Sequence, residues 1–470
     1  MTLKVLYIGL PTTFLGGAET RSFNTLKCYP NFSIDVYLYV PITYLMYYYN
    51  ALFSDQQRRM LLEQLSFLQK CGIFIDNNVF ELLENVEKMH VLIDRKRNLR
   101  ILLNPSVSRS LPAITLVKNV IEYERDFLKK FLSDVRRIDI VYSSLSESIY
   151  ILSSGLYAKH IIQNAIHVTL LHQALYTITS RLEPEPLRSL KLLDSGFVER
   201  IGLFLSQKIR KLLTWPSYKL YIPFNYEELY RWSFKRELLD AVFVISKEPL
   251  NYVSFDKINV PIYTLRPGNA FETNILRFRN TSSKKSYAVY YARLIPEKGV
   301  LEIPLIWFLV SRFRPTRLVV AGRFFDSKTR SVLEKLLKIF ELEDYVDYAG
   351  FVQNKEDLYR LVANAKVLVY PSHSDGFSLV VLEALILGTS VVAYDIPALS
   401  DIYGSLPPVK LVPEGDIRSA AVNTIKILDE DIDDYNKEHE DPRVKQFIEL
   451  HNGWEKVAIA EISLFDKILK

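Results

Sequence analysis

The chain has 470 residues, of which 49% are hydrophobic, so it can build substantial cores and is too long for one compact domain. Its formal charge of +5 is small and its charged residues are mixed along the chain, which argues against a dedicated nucleic-acid binder with a basic face. Only Cys28 and Cys71 are present, so no disulfide framework is needed and a reducing, cytoplasmic compartment is favoured.

In the N-terminal half, short runs rich in Val, Ile and Tyr alternate with longer helical or irregular segments. The runs are 4–10, 34–40, 138–142, 168–171, 241–245 and 262–265. This alternation predicts a parallel sheet with helices on both faces. The first run is apolar enough to resemble a signal peptide, but it meets a Gly-Gly-Ala-Glu turn without a cleavage site, so we expect a buried strand.

A polar stretch at 280–285 is typical of an interdomain linker, and the same alternation restarts after it. Its strand-like runs are 287–291, 317–321, 346–348, 366–370 and 390–394, with helical patterns at 328–340, 355–363 and 454–469. The acidic stretch 429–441 is expected to be a solvated loop. We therefore predict two doubly wound, Rossmann-like α/β domains facing a cleft, at 1–272 and 273–450, and a C-terminal helix at 451–470 that packs back toward the first domain.

The segment 371–388 follows a strand, turns at Gly376 and enters an apolar helix that Gly388 ends. We expect the first turn of this helix to contain Phe377, Ser378 and Leu379, whose free backbone N–H groups could bind an anion. Asp375 could accept hydrogen bonds from hydroxyl groups at the helix mouth, and Glu383 needs a polar partner within the apolar helix. In the alternative interpretation, Asp375 is a helix cap and Glu383 a partly exposed charge. Glu383 and Gly388 also argue against a membrane span at 377–394.

Two further loops follow predicted strands. Arg293 and Lys298 flank a Pro-Glu-Lys-Gly turn, where a forked guanidinium and a mobile ammonium could hold a phosphate, although ordinary surface charges would look the same. Gly16 and Gly17 open a helix after the first strand and allow close approach of a ligand to the backbone. They do not form a dinucleotide fingerprint.

The order and spacing of these motifs resemble the retaining, nucleotide-sugar-dependent glycosyltransferases of the GT-B fold, in the glycosyl transferases group 1 superfamily. The resemblance covers about residues 287–416, including Ala-Arg-Leu-Ile-Pro-Glu-Lys-Gly and Tyr-Pro-Ser-x-x-Asp-Gly-Phe-Ser-Leu-x-x-Leu-Glu-Ala. At the N-terminus it depends on Gly-Gly-Ala-Glu, and between 40 and 240 it is thin.

The resemblance implies a set of donor-binding roles. Arg293 and Lys298 would hold the donor diphosphate, which the backbone of Gly16 and Gly17 would approach from the other domain. Glu383 would bind the ribose, and Asp375, which stands where the family has Glu, would contact the transferred sugar. Phe351 and Val352 match the loop beside the nucleobase.

Three histidines are candidates for the site. His172, after the strand at 168–171, is the best match to a family histidine, with His167 as its competitor; His373 lies beside the donor loop. The resemblance also implies front-face transfer, in which the departing diphosphate takes the acceptor proton, so no catalytic metal is expected and we find no His/Cys ligand cluster.

The acceptor is less constrained. A basic amphipathic helix at 197–215, aromatic residues at 218–234 and tyrosines at 44–49 could receive a lipid-linked or glycan acceptor at the cytoplasmic membrane face, or pack within their own domain. Two alternatives to transfer stay open: a sugar-nucleotide epimerase of the same fold, and a non-catalytic sugar-nucleotide-binding scaffold.

Overall fold

The computed structural model describes residues 2–14, 16–52, 55–85, 113–135, 137–145, 148–172, 226–251 and 255–470. These residues form two compact units, each with its own sheet. Unit 1 contains the described residues up to Ala270 together with Gly453–Lys470, and unit 2 contains Phe271–Asn452.

Unit 1 is built on a seven-stranded parallel sheet. Its strands are β1 (Leu3–Ile8), β2 (Ile34–Tyr39), β3 (Phe74–Ile75), β4 (Ile140–Ser143), β5 (Ile166–Leu171), β6 (Ala241–Val244) and β7 (Ile262–Thr264). Their spatial order is β3-β2-β1-β4-β5-β6-β7. The central strands are buried on both faces, which is why they read as continuous apolar runs.

The helices of unit 1 cover this sheet. They are α1 (Gly17–Leu26), α2 (Ile42–Leu52), α3 (Asp55–Lys70), α4 (Asn77–Glu84), α5 (Ala113–Ser133), α6 (Ile149–Ile161) and α7 (Tyr226–Lys235). The buried carboxylate of Glu124 on α5 accepts hydrogen bonds from the backbone N–H groups of Ile42 and Thr43, the first residues of α2, at 3.3 and 2.6 Å. A charge from one helix thus satisfies the free donors at the start of another.

Unit 2 contains a six-stranded parallel sheet. Its strands are β8 (Lys285–Tyr291), β9 (Arg317–Ala321), β10 (Val346–Gly350), β11 (Ala365–Tyr370), β12 (Ser390–Tyr394) and β13 (Val409–Val412), in the order β10-β9-β8-β11-β12-β13. Its helices are α8 (Ile303–Phe313), α9 (Ser327–Ile339), α10 (Lys355–Asn364), α11 (Leu379–Ile386), α12 (Pro397–Tyr403), α13 (Ile417–Asp429), α14 (Ile432–His439) and α15 (Pro442–His451).

The final helix, α16 (Trp454–Leu469), belongs to unit 1. Its buried face includes Val457 and Phe465, and the Phe465 ring lies 5.1 Å from that of Tyr142 on β4. Within the part of the chain that the structure describes, every helix is too short or too polar to cross a membrane.

The order of the strands defines where ligands bind in such sheets. In unit 2 the chain runs outward from β8 to β10 and then restarts on the other side with β11, so the order reverses between β8 and β11. The connections from these two neighbours thus lead to opposite sides of the sheet, and in doubly wound folds the crevice that receives a ligand lies outside their carboxyl ends. In unit 1 the corresponding reversal lies between β1 and β4.

The α/β prediction with two parallel sheets is confirmed, and every predicted strand is present. The prediction of a loop at 429–441 is wrong, because α14 forms within it. The Asp431 side chain caps that helix by accepting from the N–H of Asp433 at 2.8 Å, and Tyr435 and His439 are buried on its inner face. Asp431, Asp433 and Asp434 lie at the positive end of the helix dipole, where their charge favours helix formation.

The expected linker at 280–285 is also corrected, since it lies within unit 2. The Lys284 ammonium is the clearest sign of this packing: it donates to the carbonyl oxygen of Ala363 at 2.6 Å and to the Thr389 hydroxyl at 3.0 Å. Burial holds the pKa of Lys284 well below its ordinary value. A polar composition alone does not distinguish a linker from a segment whose polar groups are satisfied inside a domain.

Candidate active site

The loops after β8 and β11 contact each other across the crevice of unit 2. A short 3₁₀ turn at Pro296–Lys298 follows β8 and ends at Gly299, whose φ is +74°. A β-carbon at Gly299 would lie 1.9 Å from the carbonyl oxygen of Pro371, the first residue after β11. Only glycine fits there, both because of its backbone angle and because the two backbones are in direct contact.

This contact brings Lys298 and Asp375 together. The Lys298 ammonium lies 2.9 Å from Oδ2 of Asp375 and donates to the carbonyl oxygen of Ser374 at 2.7 Å. The two side chains are 11% and 14% exposed, so the pair is largely shielded from water but still open on one side. The alternative that Lys298 is an ordinary solvated surface charge is therefore wrong.

Four buried tyrosines support the two loops from below. The hydroxyl of Tyr290 donates to the carbonyl oxygen of Lys298, that of Tyr291 to Val380 and that of Tyr403 to Ser378. The hydroxyl of Tyr370 donates to the Asp375 carboxylate. Burial raises the pKa of each of these phenols, so they stay protonated and act as hydrogen-bond donors. The arrangement fixes both the backbone and the carboxylate of the site.

The helix within the segment 371–388 begins later than expected. Its first residue is Leu379, and Ser378, with φ of +62°, is its N-cap, whose hydroxyl accepts from the N–H of Val381 at 3.4 Å. The expectation that Phe377 and Ser378 lie in the first turn of the helix is therefore wrong, and so is the alternative interpretation that Asp375 caps it. Phe377 is buried, with its ring 5.9 Å from that of Tyr403.

Glu383 lies one turn into α11. The residue as a whole is partly exposed, and the Tyr291 hydroxyl donates to its carboxylate at 3.4 Å. Burial raises the pKa of Glu383 to about 7, against smaller opposing effects of Lys355 and of the Tyr291 hydrogen bond. This carboxyl group is therefore protonated more readily than that of an ordinary glutamate, and a ligand that donates hydrogen bonds would favour the ionised form.

The other expected donor residues of unit 2 line the same edge of the sheet. Arg293 is exposed in the loop after β8, Gly376 is partly exposed in the loop after β11, and Phe351, 65% exposed, follows β10 together with Val352. They all follow the carboxyl ends of strands in this sheet, and β9 separates β10 from the crevice between β8 and β11.

The remaining expected residues belong to unit 1. Gly16, the exposed N-cap of α1, and Gly17, its first residue, follow β1. His172 is buried directly after β5. His167 is a core residue: its Nδ1 lies 2.6 Å from the carbonyl oxygen of Leu238 and its Nε2 2.9 Å from the Ser143 hydroxyl, and burial lowers its pKa to about 4.

Parts of the expected acceptor surface can be placed. Tyr44 is buried in unit 1 and donates to the Glu19 carboxylate at 3.0 Å, so it does not contribute to a surface. The amphipathic segment 197–215 and the aromatic residues 218–225 lie outside the described residues. Among the described residues, no group of three or more His, Cys, Asp or Glu side chains is arranged to hold a metal ion.

Sequence reasoning missed several groups that shape this site. Tyr290, Tyr291 and Tyr370 were assigned only to strands and Tyr403 to no element, although the hydroxyl of a buried tyrosine usually has a hydrogen-bond partner. Glu302 and Glu414, which contact His373, gave no local signal. Their neighbours in sequence do not reveal which loop they reach.

Comparison with known proteins finds a family to which most of unit 2 is similar. Residues 272–441 match the family described as "Glycosyl transferases group 1". The O-antigen chain mannosyltransferase B of Escherichia coli is 28% identical over 150 residues, which are 31% of this chain and 38% of that protein. The chain thus matches well under half the length of this relative.

Solved structures extend the likeness to both units. Anabaena HepE, crystallised with UDP and glucose, aligns over 99% of this chain and 99% of its own, with a TM-score of 0.55 and 14% identity. A glycosyltransferase from Rickettsia africae aligns over 100% of this chain and 99% of its own, with a TM-score of 0.58 and 12% identity. At these identities the likeness shows the fold. The solved structures thus share the GT-B fold of two parallel-sheet units, and residues 272–441 are similar to the glycosyl transferases group 1.

Proposed function

We propose that this chain is a retaining glycosyltransferase that moves a sugar from a nucleotide-diphosphate sugar to a hydroxyl of a lipid-linked or glycan acceptor. One observation carries the proposal: Lys298 and Asp375 meet at 2.9 Å in the crevice between β8 and β11, where ligands of doubly wound sheets bind. The mannosyltransferase relative and the structure of HepE with UDP and glucose support the same class of reaction.

In this proposal, cationic and dipolar groups bind the donor diphosphate. Lys298 and the exposed Arg293 supply positive charge, and the first N–H groups of α11, at Leu379 and Val380, supply partial positive charge. One positive charge about 4 Å from a negative charge of the diphosphate stabilises it by roughly 4 kcal/mol at an effective dielectric of about 20.

The rest of the donor is assigned by position. Glu383 accepts hydrogen bonds from the ribose hydroxyls, Asp375 from the transferred sugar, and the exposed ring of Phe351 lies with Val352 beside the base. Asp375 is shorter than Glu by one methylene, and its hydrogen bond from Tyr370 and its ion pair with Lys298 fix where it points.

The chemistry requires little from protein bases. The bond between the sugar C1 and the diphosphate oxygen breaks and its electron pair stays on the diphosphate, while the acceptor oxygen bonds to C1 from the same face. The acceptor proton passes to the departing diphosphate oxygen. Lys298, Arg293 and the start of α11 stabilise the charge that grows there, which is the main catalytic effect. We infer that no metal is required.

The acceptor side is assigned to unit 1, with His172 after β5 as its candidate active-site residue. We further propose that the enzyme works in the cytoplasm, at the membrane face when its acceptor is lipid-linked. Binding of the chain to vesicles with and without anionic lipid tests that part separately.

The test begins with thermal stabilisation of the chain by a panel of nucleotide sugars, followed by turnover of the one that stabilises it. Slow release of free sugar with retained anomeric configuration supports the proposal; inversion or epimerisation contradicts it, and binding without turnover supports a scaffold. Lys298→Ala should lower turnover by about 10²–10³-fold. Lys335→Ala, on the exposed face of α9, is the matched control and should have no effect.

A further inference from the structure

His373 lies in the loop after β11, two residues before Asp375, and is held between two carboxylates. Its Nε2 is 2.8 Å from Oε1 of Glu302 and its Nδ1 is 2.9 Å from Oε1 of Glu414. His373 is 3% exposed and Glu302 is 5% exposed. His373 belongs to the loop after β11, Glu302 is the N-cap of α8, and Glu414 lies in the turn after β13.

The two short contacts bear on the protonation state of His373. Carboxylate oxygens of ionised Glu only accept hydrogen bonds, whereas a neutral imidazole donates from one nitrogen only, so two such short contacts require an imidazolium. Burial alone would lower the pKa of His373, but the charges and hydrogen bonds of Glu302 and Glu414 outweigh it and raise the pKa to about 10. The other titratable group that faces the ring is Tyr394, on β12, whose ring centroid lies 5.3 Å away.

The backbone of His373 connects this cluster to the site. Its N–H donates to the carbonyl oxygen of Glu297, in the turn that carries Lys298, at 2.9 Å. On the next residue, the carbonyl oxygen of Ser374 accepts from Lys298. Thus His373 anchors, through its ring, the loop whose backbone holds Lys298.

We propose that His373 is a positioning residue, whose two hydrogen bonds to Glu302 and Glu414 fix the loop 371–376 against the turn 296–299 and hold Lys298 and Asp375 in the geometry that receives the donor diphosphate. This inference rests on the proposed function, because it assigns what the cluster does for that site. His373 itself transfers no proton in the reaction.

The first test is His373→Gln, whose amide can donate to one of the two carboxylates but not to both. With UDP, GDP and ADP as probes, the Kd for whichever nucleotide binds the wild-type chain should rise about tenfold, and the KM for the donor should rise more than kcat falls. The matched control is His160→Gln, at an exposed position on α6, which should change neither.

The second test removes one charge and keeps the histidine. In Glu414→Gln the pKa of His373 should fall toward its ordinary value, since one of the two anions is gone. Nucleotide affinity relative to wild type should then decline as pH rises from 6 to 9, because the loop loses its charged anchor. If His373→Gln does not fold, Glu414→Gln, at a partly exposed position, still decides the question.

A direct measurement does not depend on the reaction. In the full chain labelled with ¹⁵N-histidine, one of the seven histidines should keep both ring nitrogens protonated at pH 8, and His373→Gln should remove that signal. Titration of His373 near neutrality overturns the proposal, as does a His373→Gln chain that is less stable but keeps its nucleotide Kd and donor KM. A wild-type chain that binds no nucleotide overturns the proposed function and this inference together.

Discussion

Units 1 and 2 each place charged side chains among core tyrosines, but the two clusters differ in how they are closed. In unit 1, Arg21 on α1 pairs with Glu461 on α16 at 2.7 Å, and neither side chain has any exposed surface. Tyr142 donates to the same carboxylate at 2.7 Å, as does Tyr29, and Nε of Arg21 donates to the carbonyl oxygen of Gly268 at 2.7 Å.

The cluster of unit 2 is open on one side. Lys298 and Asp375 keep 11% and 14% of their side-chain surface exposed, and Glu383 nearby is partly exposed with a pKa of about 7. A closed cluster can only fix the elements that it connects, here α1, β4 and the C-terminal helix. An open cluster can exchange part of its contacts for those of a ligand. We therefore expect substitutions in unit 1 to change stability and substitutions in unit 2 to change binding and turnover.

The largest effect is expected for Glu461→Gln. It leaves the Arg21 guanidinium buried without its counter-charge, which should lower the free energy of unfolding by about 3–5 kcal/mol. Chemical denaturation of the full chain measures this loss, and Glu455→Gln, on the exposed face of the same helix, is the control. Equal effects of the two substitutions would contradict a closed, stabilising cluster.

Asp375→Asn should separate turnover from nucleotide binding. It removes the carboxylate assigned to the sugar, so turnover should fall by about 10²-fold, which corresponds to about 2.7 kcal/mol. The affinity for the nucleoside diphosphate should not weaken, since Lys298 loses its competing partner.

Asp347→Asn, on the exposed edge strand β10, is the control for this substitution. If Asp375→Asn weakened nucleoside diphosphate binding as strongly as turnover, the assignment of Asp375 to the transferred sugar would be wrong.

Tyr29→Phe and Tyr370→Phe form a matched pair across the two units. Each removes one hydrogen bond to a buried or nearly buried carboxylate, of Glu461 and Asp375 respectively, and should cost about 1.5–3 kcal/mol of stability. Only Tyr370→Phe should also change the donor KM, because only its carboxylate faces the crevice. Denaturation midpoints measure the loss of stability and steady-state kinetics measure the donor KM. A changed donor KM in Tyr29→Phe would contradict the distinction between a stabilising cluster in unit 1 and a binding cluster in unit 2.

The smallest effect concerns pH. Since the ribose hydroxyls donate to Glu383, they bind its ionised form, and ionisation with a pKa of about 7 increases as pH rises. Nucleotide affinity should thus increase about tenfold from pH 6 to pH 8, as the charged fraction grows by that factor. Calorimetric titration of the wild type and Glu383→Gln measures this, and persistence of the same pH dependence in the variant would assign it to another group.

Much of this organisation is encoded locally. The apolar runs rich in Val, Ile and Tyr specify eleven of the thirteen strands in the described residues, all but β3 and β13. Gly299 and Gly388 mark turns through backbone angles that other residues rarely adopt. Lys298, Asp375 and Glu383 were identified because they follow such strands. The start of α11 was placed wrongly, since Ser378, not the turn at Gly376, caps it.

Only the tertiary structure decided which charges meet. Tyr29 and Glu461 are 432 residues apart in sequence, and His373 lies 71 and 41 residues from Glu302 and Glu414. Such contacts depend on the order of strands in the sheet, and a hydrophobic pattern is the same for every order. The sequence by itself therefore determined the sheets and the loops that bear the site, and the packing of β8 beside β11 joined Lys298 to Asp375.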